Sequence, residues 1–206
     1  MNFIAFKLFY KRFKYTNSYY ENMLVIGLTG MAGCGKSTVA KYIERKGFTH
    51  LIFSDMLKRE AEKKNLLRGS SEEQKIILSR LGAQLRESTR NKGILADMLV
   101  REIENKGLRK VVVDGFRSMA EVEKFKRSFG SFYLIHVDAK PEIRFRRIAM
   151  NDKKIDDKTF FSRDRQDTDK LGLGDVIKSA NFKIDNNVSL ESTYAQTDLI
   201  LKRITG

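Results

Sequence analysis

An α/β protein with a parallel sheet wrapped by helices is the fold class this sequence predicts, and three observations predict it. From Met23 onward, short apolar runs alternate with amphipathic stretches, the pattern of buried parallel strands covered on both faces. Five such runs occur, at 23–28, 50–53, 110–113, 132–137 and 182–184, so the sheet is expected to have five strands. The first run leads without a break into Gly30-Met31-Ala32-Gly33-Cys34-Gly35-Lys36-Ser37, a glycine-rich turn set between a strand and a helix.

Taken in order, each element has a local reason. Val25 to Thr29 is an apolar strand, and Thr38-Val39-Ala40-Lys41-Tyr42-Ile43 continues beyond the turn as an amphipathic helix. Ser71-Glu72-Glu73-Gln74 and Ser118-Met119-Ala120-Glu121 both read as capping boxes, in which the serine accepts an orphan amide and the acid or amide reaches back. Behind them, Ile77, Leu81 and Leu85, and then Val122, Phe125 and Phe129, recur at three- and four-residue steps. These are packing faces without chemistry. Ile184-Asp185-Asn186-Asn187 ends the fifth strand, and Ser189 opens the last helix.

Composition bounds the rest. A chain of 206 residues suits one domain of ordinary size. Its formal charge of +14 fits either a nucleic-acid surface or a site for polyphosphate substrates. The basic residues are spread along the chain instead of being gathered in a tail or stripe, so nucleic acid is not expected as the main partner. One cysteine, Cys34, and two histidines, His50 and His136, give no zinc-type spacing, and no apolar run reaches the length of about 18 residues that a membrane span needs. A cytoplasmic location is the expectation; the oligomeric state is not legible.

Residues 1–22 stand apart. They hold eight aromatics with Lys7, Lys11, Arg12 and Lys14 among them. Phe6, Phe9 and Phe13 recur at helical spacing, as in a segment that touches a membrane or partner. Met23 directly precedes the first strand, however, which favours an N-terminal extension or start-site artefact, with the functional domain at 23–206.

The phosphate chemistry starts at the glycine-rich turn. Gly-x-x-x-x-Gly-Lys-Ser between strand and helix is the P-loop pattern: Gly30, Gly33 and Gly35 let the backbone wrap with its amides inward, where a helix N-terminus attracts anionic phosphate. Lys36 is expected to reach the β and γ phosphates of ATP, and Ser37, followed by Thr38 in the first helical turn, to ligate Mg²⁺. Cys34 fits a small variable position of the loop, or a redox-sensitive brake. Val111-Val112-Val113-Asp114 ends a buried strand in an acid, and Asp114 there can orient the metal or its water.

At Asp114-Gly115-Phe116-Arg117 the chain resembles the nucleoside monophosphate kinases, whose adenylate kinase members carry Asp-Gly-Phe-Pro-Arg. Residues 23–203 as a whole are similar to an archaeal group related to adenylate kinase and dephospho-CoA kinase. The resemblance implies a three-layer P-loop NTPase fold with a five-stranded parallel sheet, a helical acceptor-binding region after the second strand, and a short lid after the fourth. It places Arg117 beside the transferred group, although the family's proline is missing. Ser54-Asp55-Met56-Leu57-Lys58-Arg59 is similar to the family's Ser-Thr-Gly-Asp-Met-Leu-Arg, which implies Lys58 or Arg59 as a ligand of the acceptor phosphate. Arg86 matches an acceptor-region arginine of the archaeal group. Arg144 to Arg165 resembles the lid, with Arg147 and Arg163 as its phosphate-facing arginines; Asn151 and Lys154 stand where the family usually has arginine. The turn at Asn186 and Asn187 resembles one near the adenine of ATP.

The reaction these features imply is transfer from ATP·Mg²⁺ to the phosphate of a nucleoside monophosphate, AMP- or CMP-like, an acceptor that needs positioning and no general base. Many arginines, and no histidine near the motifs, suit it. A dephospho-CoA kinase-like transfer to a hydroxyl would use a base, and Asp55 is the well-placed candidate. The missing proline and the lid substitutions also fit a slow ATPase that acts as a nucleotide-dependent RNA- or partner-binding module.

Overall fold

The computed structural model describes residues 23–69, 71–151, 155–169 and 172–206. The aromatic segment 1–22, the side chains of Ser71, Glu72 and Glu73 in the first capping box, Lys154 and the Arg163 side chain all lie outside the described residues.

The five apolar runs become β1 (Leu24–Thr29), β2 (Thr49–Ile52), β3 (Lys110–Phe116), β4 (Ser131–Asp138) and β5 (Phe182–Asp185). They form one sheet in the order β2-β3-β1-β4-β5, with every neighbouring pair parallel. Nine helices cover it among the described residues: α1 (Lys36–Glu44), α2 (Phe53–Lys63), α3 (Ser71–Ser88), α4 (Ile94–Asn105), α5 (Met119–Ser128), α6 (Pro141–Asn151), α7 (Asp157–Asp169), α8 (Leu173–Lys178) and α9 (Leu190–Thr205). This is the three-layer α/β P-loop fold that the sequence predicts. Phe53 ends the second apolar run, yet the structure starts α2 there. Its ring turns inward to meet Phe116 and Phe125 edge-on, at centroid distances of 5.0 and 6.2 Å, and aromatic packing of that kind overrides strand propensity.

The period of two along each strand divides the core. Val25, Val111 and Val113 face one side with Met56, Leu95, Leu99, Val122 and Phe125. Ile26, Leu28 and Val112 face the other with Val39, Ile43, Ile135 and Leu201. Both sides are dry, which explains why these strands read as continuous apolar runs. The stripe Val122, Phe125 and Phe129 is fully buried, and Leu81 alone of the earlier stripe is.

The carboxyl ends of β1, β3 and β4 define one rim of the sheet. At that rim β3 slips by one residue relative to β1: Leu28 pairs with Asp114, and Thr29 with Phe116. The extra residue is Gly115, a bulge that lets Asp114 and Phe116 both remain buried. Helix α5 then starts at the Ser118 capping box: Glu121 N donates to Ser118 Oγ at 3.4 Å, and Ser118 N donates to Glu121 Oε2 at 3.1 Å.

Candidate functional site: a P-loop at the strand rim

The P-loop joins β1 to α1 as its sequence requires. Gly30 and Gly35 have φ of 142° and 99°, a backbone region open to glycine and costly to other residues. Space is closed at both as well. A Cβ on Gly30 would collide with the Val137 carbonyl and one on Gly35 with the Asn186 amide. Gly33 abuts the Arg144 carbonyl and Ile148. Helix α1 opens at Gly35 with no side-chain cap, so its first amides remain available to an anion.

Two contacts define what the loop can hold. Lys36 Nζ folds back to donate to the carbonyls of Gly30 and Met31, at 2.7 and 3.1 Å. The ammonium is thus already inside the loop. Ser37 Oγ donates to Asp114 Oδ2 at 2.8 Å, although one residue lies in the first turn of α1 and the other in β3. A hydroxyl and a carboxylate brought together beside a phosphate cradle form an all-oxygen donor set, which suits a hard divalent cation such as Mg²⁺. Thr38 N donates to Gly35 O at 3.1 Å and closes the first turn. Cys34 is buried with its sulfur 3.7 Å from Lys36 Nζ. Burial pushes its thiol up from the ordinary value, against the pull of Lys36, so it is an inert filler of the loop.

A brace behind the loop has no signal in the local sequence. The Asn186 side chain is buried and turned onto the loop: its Nδ2 donates to Cys34 O at 2.8 Å and its Oδ1 accepts from Thr193 Oγ1 at 2.7 Å. Arg147 Nη2 donates to Asn186 O at 2.9 Å, and its Nη1 reaches Cys34 O at 3.4 Å. Arg147 therefore stands at the P-loop, tied to its backbone. Asn187 Oδ1 accepts from Lys140 N at 2.7 Å, a turn contact.

Arg144 has a part that sequence reading did not assign. Its side chain is 5% exposed and forms a two-bond pair with Asp164 of α7, at 3.0 and 2.6 Å. Its Nη1 also donates to Ala32 O in the P-loop at 3.1 Å, its Nε to Ala139 O at 3.1 Å, and its guanidinium lies 4.9 Å from the Phe160 ring centre. This arginine fastens α7, the helix of the expected lid, to the phosphate loop. The spacing of Arg144 and Asp164 carries no local signal that could have revealed it.

The acceptor-side residues divide. The Arg117 backbone amide and the Arg86 guanidinium converge on Glu121, a buried carboxylate. Glu121 Oε2 accepts from Arg117 N at 2.9 Å, and Oε1 lies 3.8 Å from Arg86 Nη2. Burial pushes the Glu121 carboxyl up from the ordinary range, while the Arg117 and Ser118 amides and Arg86 pull it down. The Arg117 guanidinium is half exposed and reaches Asp167 of α7 at 3.4 Å. Arg59 is drawn elsewhere, into two hydrogen bonds with Glu102 of α4 at 2.9 and 2.7 Å. Lys58 remains exposed near Asp55 in the first turns of α2, with Nζ 3.8 Å from Asp55 Oδ1. Of the two candidates for the acceptor phosphate, Lys58 is the one not held by a second helix.

One expectation needs correction. Neither histidine lies near the motifs in sequence, but β4 runs beside β1 with His136 opposite Thr29. A Cβ on Gly30 would lie 3.4 Å from His136 Cδ2. Parallel pairing brings together residues that are more than a hundred positions apart, and His136 thus lies at the mouth of the loop.

Residues 26–170 match the AAA domain family, and the chain belongs to it. It belongs also to the UPF0200 proteins: one from Saccharolobus islandicus (strain M.16.4 / Kamchatka #3) is 34% identical over 184 residues, 87% of this chain and 93% of the relative. Among solved structures, TT1252 of Thermus thermophilus superposes with a TM-score of 0.62 at 20% identity, covering 90% of this chain and all of that one. Shikimate kinase from Bacteroides thetaiotaomicron does so with a TM-score of 0.57 at 17% identity, covering 88% and 98%. These two likenesses are of fold. No described helix is long and apolar enough to cross a membrane.

Proposed function

We propose that the chain is an ATP- and Mg²⁺-dependent kinase that phosphorylates a nucleoside monophosphate of AMP or CMP type. The observation that carries this reading is the convergence, at one rim of the sheet, of a phosphate cradle with the Arg117–Glu121–Arg86 cluster. A cradle alone binds a nucleotide. The Arg86 guanidinium beside a buried carboxylate, with the half-exposed Arg117 guanidinium on the backbone that the same carboxylate anchors, suits a second, anionic reactant.

In this reading an oxygen of the acceptor phosphate forms a bond to the γ phosphorus, and the bond from that phosphorus to the β,γ-bridging oxygen breaks, leaving ADP with the electron pair. Ser37 and Asp114 would hold Mg²⁺, which would supply neutralisation of the phosphate charge. Lys36 exchanges its bonds to Gly30 and Met31 for phosphate oxygens. Arg147 is placed by the Asn186 carbonyl at the loop, and Arg117 is aimed by the first turn of α5. Arg163 would add a further cation from the lid. Such an acceptor is ionised at neutral pH, so the work is positioning and charge neutralisation.

Asp55 supports a second reading, transfer to a hydroxyl, because it sits just past β2 with an exposed carboxylate. A coupled assay of the full chain against each nucleoside monophosphate and against dephospho-CoA separates the two. Asp55→Asn should lower monophosphate phosphorylation by less than about tenfold, since no base is needed; a loss of several hundredfold points to hydroxyl chemistry. Tight ATP·Mg²⁺ binding by Lys36→Ala, equal to that of the native chain, would remove the P-loop from the mechanism altogether.

A further inference from the structure

Helix α5 carries a second set of cations on the face that runs from Ala120 through Lys124 to Arg127, one turn apart each. That face and the turn between α3 and α4 enclose a pocket of about 530 Å³. Arg90 and Lys92 enter it from the turn, and Lys124 and Arg127 from the helix. Asp97 is the one carboxylate in the lining. It is already engaged: Lys124 Nζ lies 2.7 Å from Oδ1, and Asn91 Nδ2 donates to Oδ2 at 2.6 Å. Among the described residues no carboxylate lies within ion-pair distance of Arg90, Lys92 or Arg127. Four cations against one acid leave three positive charges around a concave volume.

The lining also says what kind of anion fits. It contains no aromatic residue, and Ala120 is its one apolar side chain, so it offers no platform on which a base could stack. Recognition there is by charge and hydrogen bonding. Arginine and lysine together, three of them without a counter-charge, suit a compact anion with several ionised oxygens. None of these residues belongs to the P-loop or to the Arg117–Glu121–Arg86 cluster, so the pocket is independent of the kinase reading.

We infer that this pocket is a second anion site, which binds a small di- or oligophosphate through Arg90, Lys92, Lys124 and Arg127. The test is calorimetric titration of inorganic pyrophosphate, without magnesium and near physiological ionic strength, into the full chain carrying Lys36→Ala, which weakens the P-loop. One site should remain. Adding Lys92→Ala with Arg127→Ala should weaken it by at least about tenfold, because each contact is charge-assisted. Adding Lys202→Ala with Arg203→Ala instead removes the same charge from exposed positions of α9 and should change it by less than about twofold, as general screening dictates. Lys92→Glu gives a second measure and should weaken binding further than Lys92→Ala. The inference is overturned if Lys36→Ala alone abolishes the heat, or if the two alanine pairs act equally. It is overturned too if a single-stranded RNA binds more tightly than pyrophosphate and is released by the Lys92 and Arg127 changes, which would make this a nucleic-acid surface.

Discussion

Replacing Asp164 by alanine tests the bridge that fastens α7 to the P-loop. In the native chain the buried Arg144 guanidinium meets both carboxylate oxygens of Asp164, at 3.0 and 2.6 Å. Removing one partner of a buried pair costs about 3–5 kcal/mol, because the other charge stays in a poorly solvated place. Here the guanidinium keeps the Ala32 and Ala139 carbonyls and the Phe160 ring, so the lower end applies, about 3 kcal/mol. For a domain of this size that is a fall of roughly 6–12 °C in Tm. Arg144→Met strands the Asp164 carboxylate in turn and gives up the Ala32 and Ala139 carbonyls as well, so it should cost about 3 kcal/mol or more. The double variant should lie well short of the sum, with a coupling of about 2 kcal/mol. Urea denaturation followed by fluorescence and by circular dichroism measures all four corners. The reasoning fails if Asp164→Ala costs under about 1 kcal/mol, the value of an exposed surface pair, or if the two changes simply add.

Three further outcomes follow from the same geometry. Gly35→Ala forces a side chain into a positive-φ position against Asn186; it should abolish measurable ATP binding in a titration and lower stability by about 2 kcal/mol or more. Glu121→Ala leaves the amides of Arg117 and Ser118 without their buried acceptor and should destabilise by about 1–3 kcal/mol, whereas Glu121→Gln, which keeps an oxygen there, should cost under about 1 kcal/mol in the same denaturation series. Burial holds the His136 imidazole below its ordinary value, with Lys183 and Lys36 acting the same way and Asp138 opposing. Between the folded and unfolded values the unfolded chain binds the extra proton, so this group favours the fold above about pH 6.5 and its contribution is lost as pH falls below that, by at most about 1.4 kcal/mol per unit. Denaturation at several pH values should therefore show a shallower acid decline for His136→Gln than for the native chain; an equal or steeper decline would assign the effect elsewhere.

Much of the architecture was legible because its causes are local. The five apolar runs report strands buried on both faces, and Ser118 with Glu121 three residues later reports a helix start, since both partners of that contact sit within one turn. The P-loop is legible for the same reason: its glycines, lysine and serine are contiguous, and the conformation they need is a property of that stretch of backbone. Phe53 reads as strand in the sequence because an apolar run does not say which of its residues will turn inward to meet an aromatic partner from another element.

What the chain by itself determined is the phosphate cradle and the α/β frame that presents it. Tertiary structure alone decided which distant groups reach that cradle. Parallel order β2-β3-β1-β4-β5 sets Asp114 against Ser37 and His136 beside Gly30, and helix packing gives Arg59 to Glu102, Arg144 to Asp164 and the Asn186 amide to the loop backbone. A lysine or arginine in a sequence states only a charge and a reach. Which carboxylate or carbonyl ends that reach depends on where the strands cross, and that is fixed by burying two apolar faces at once.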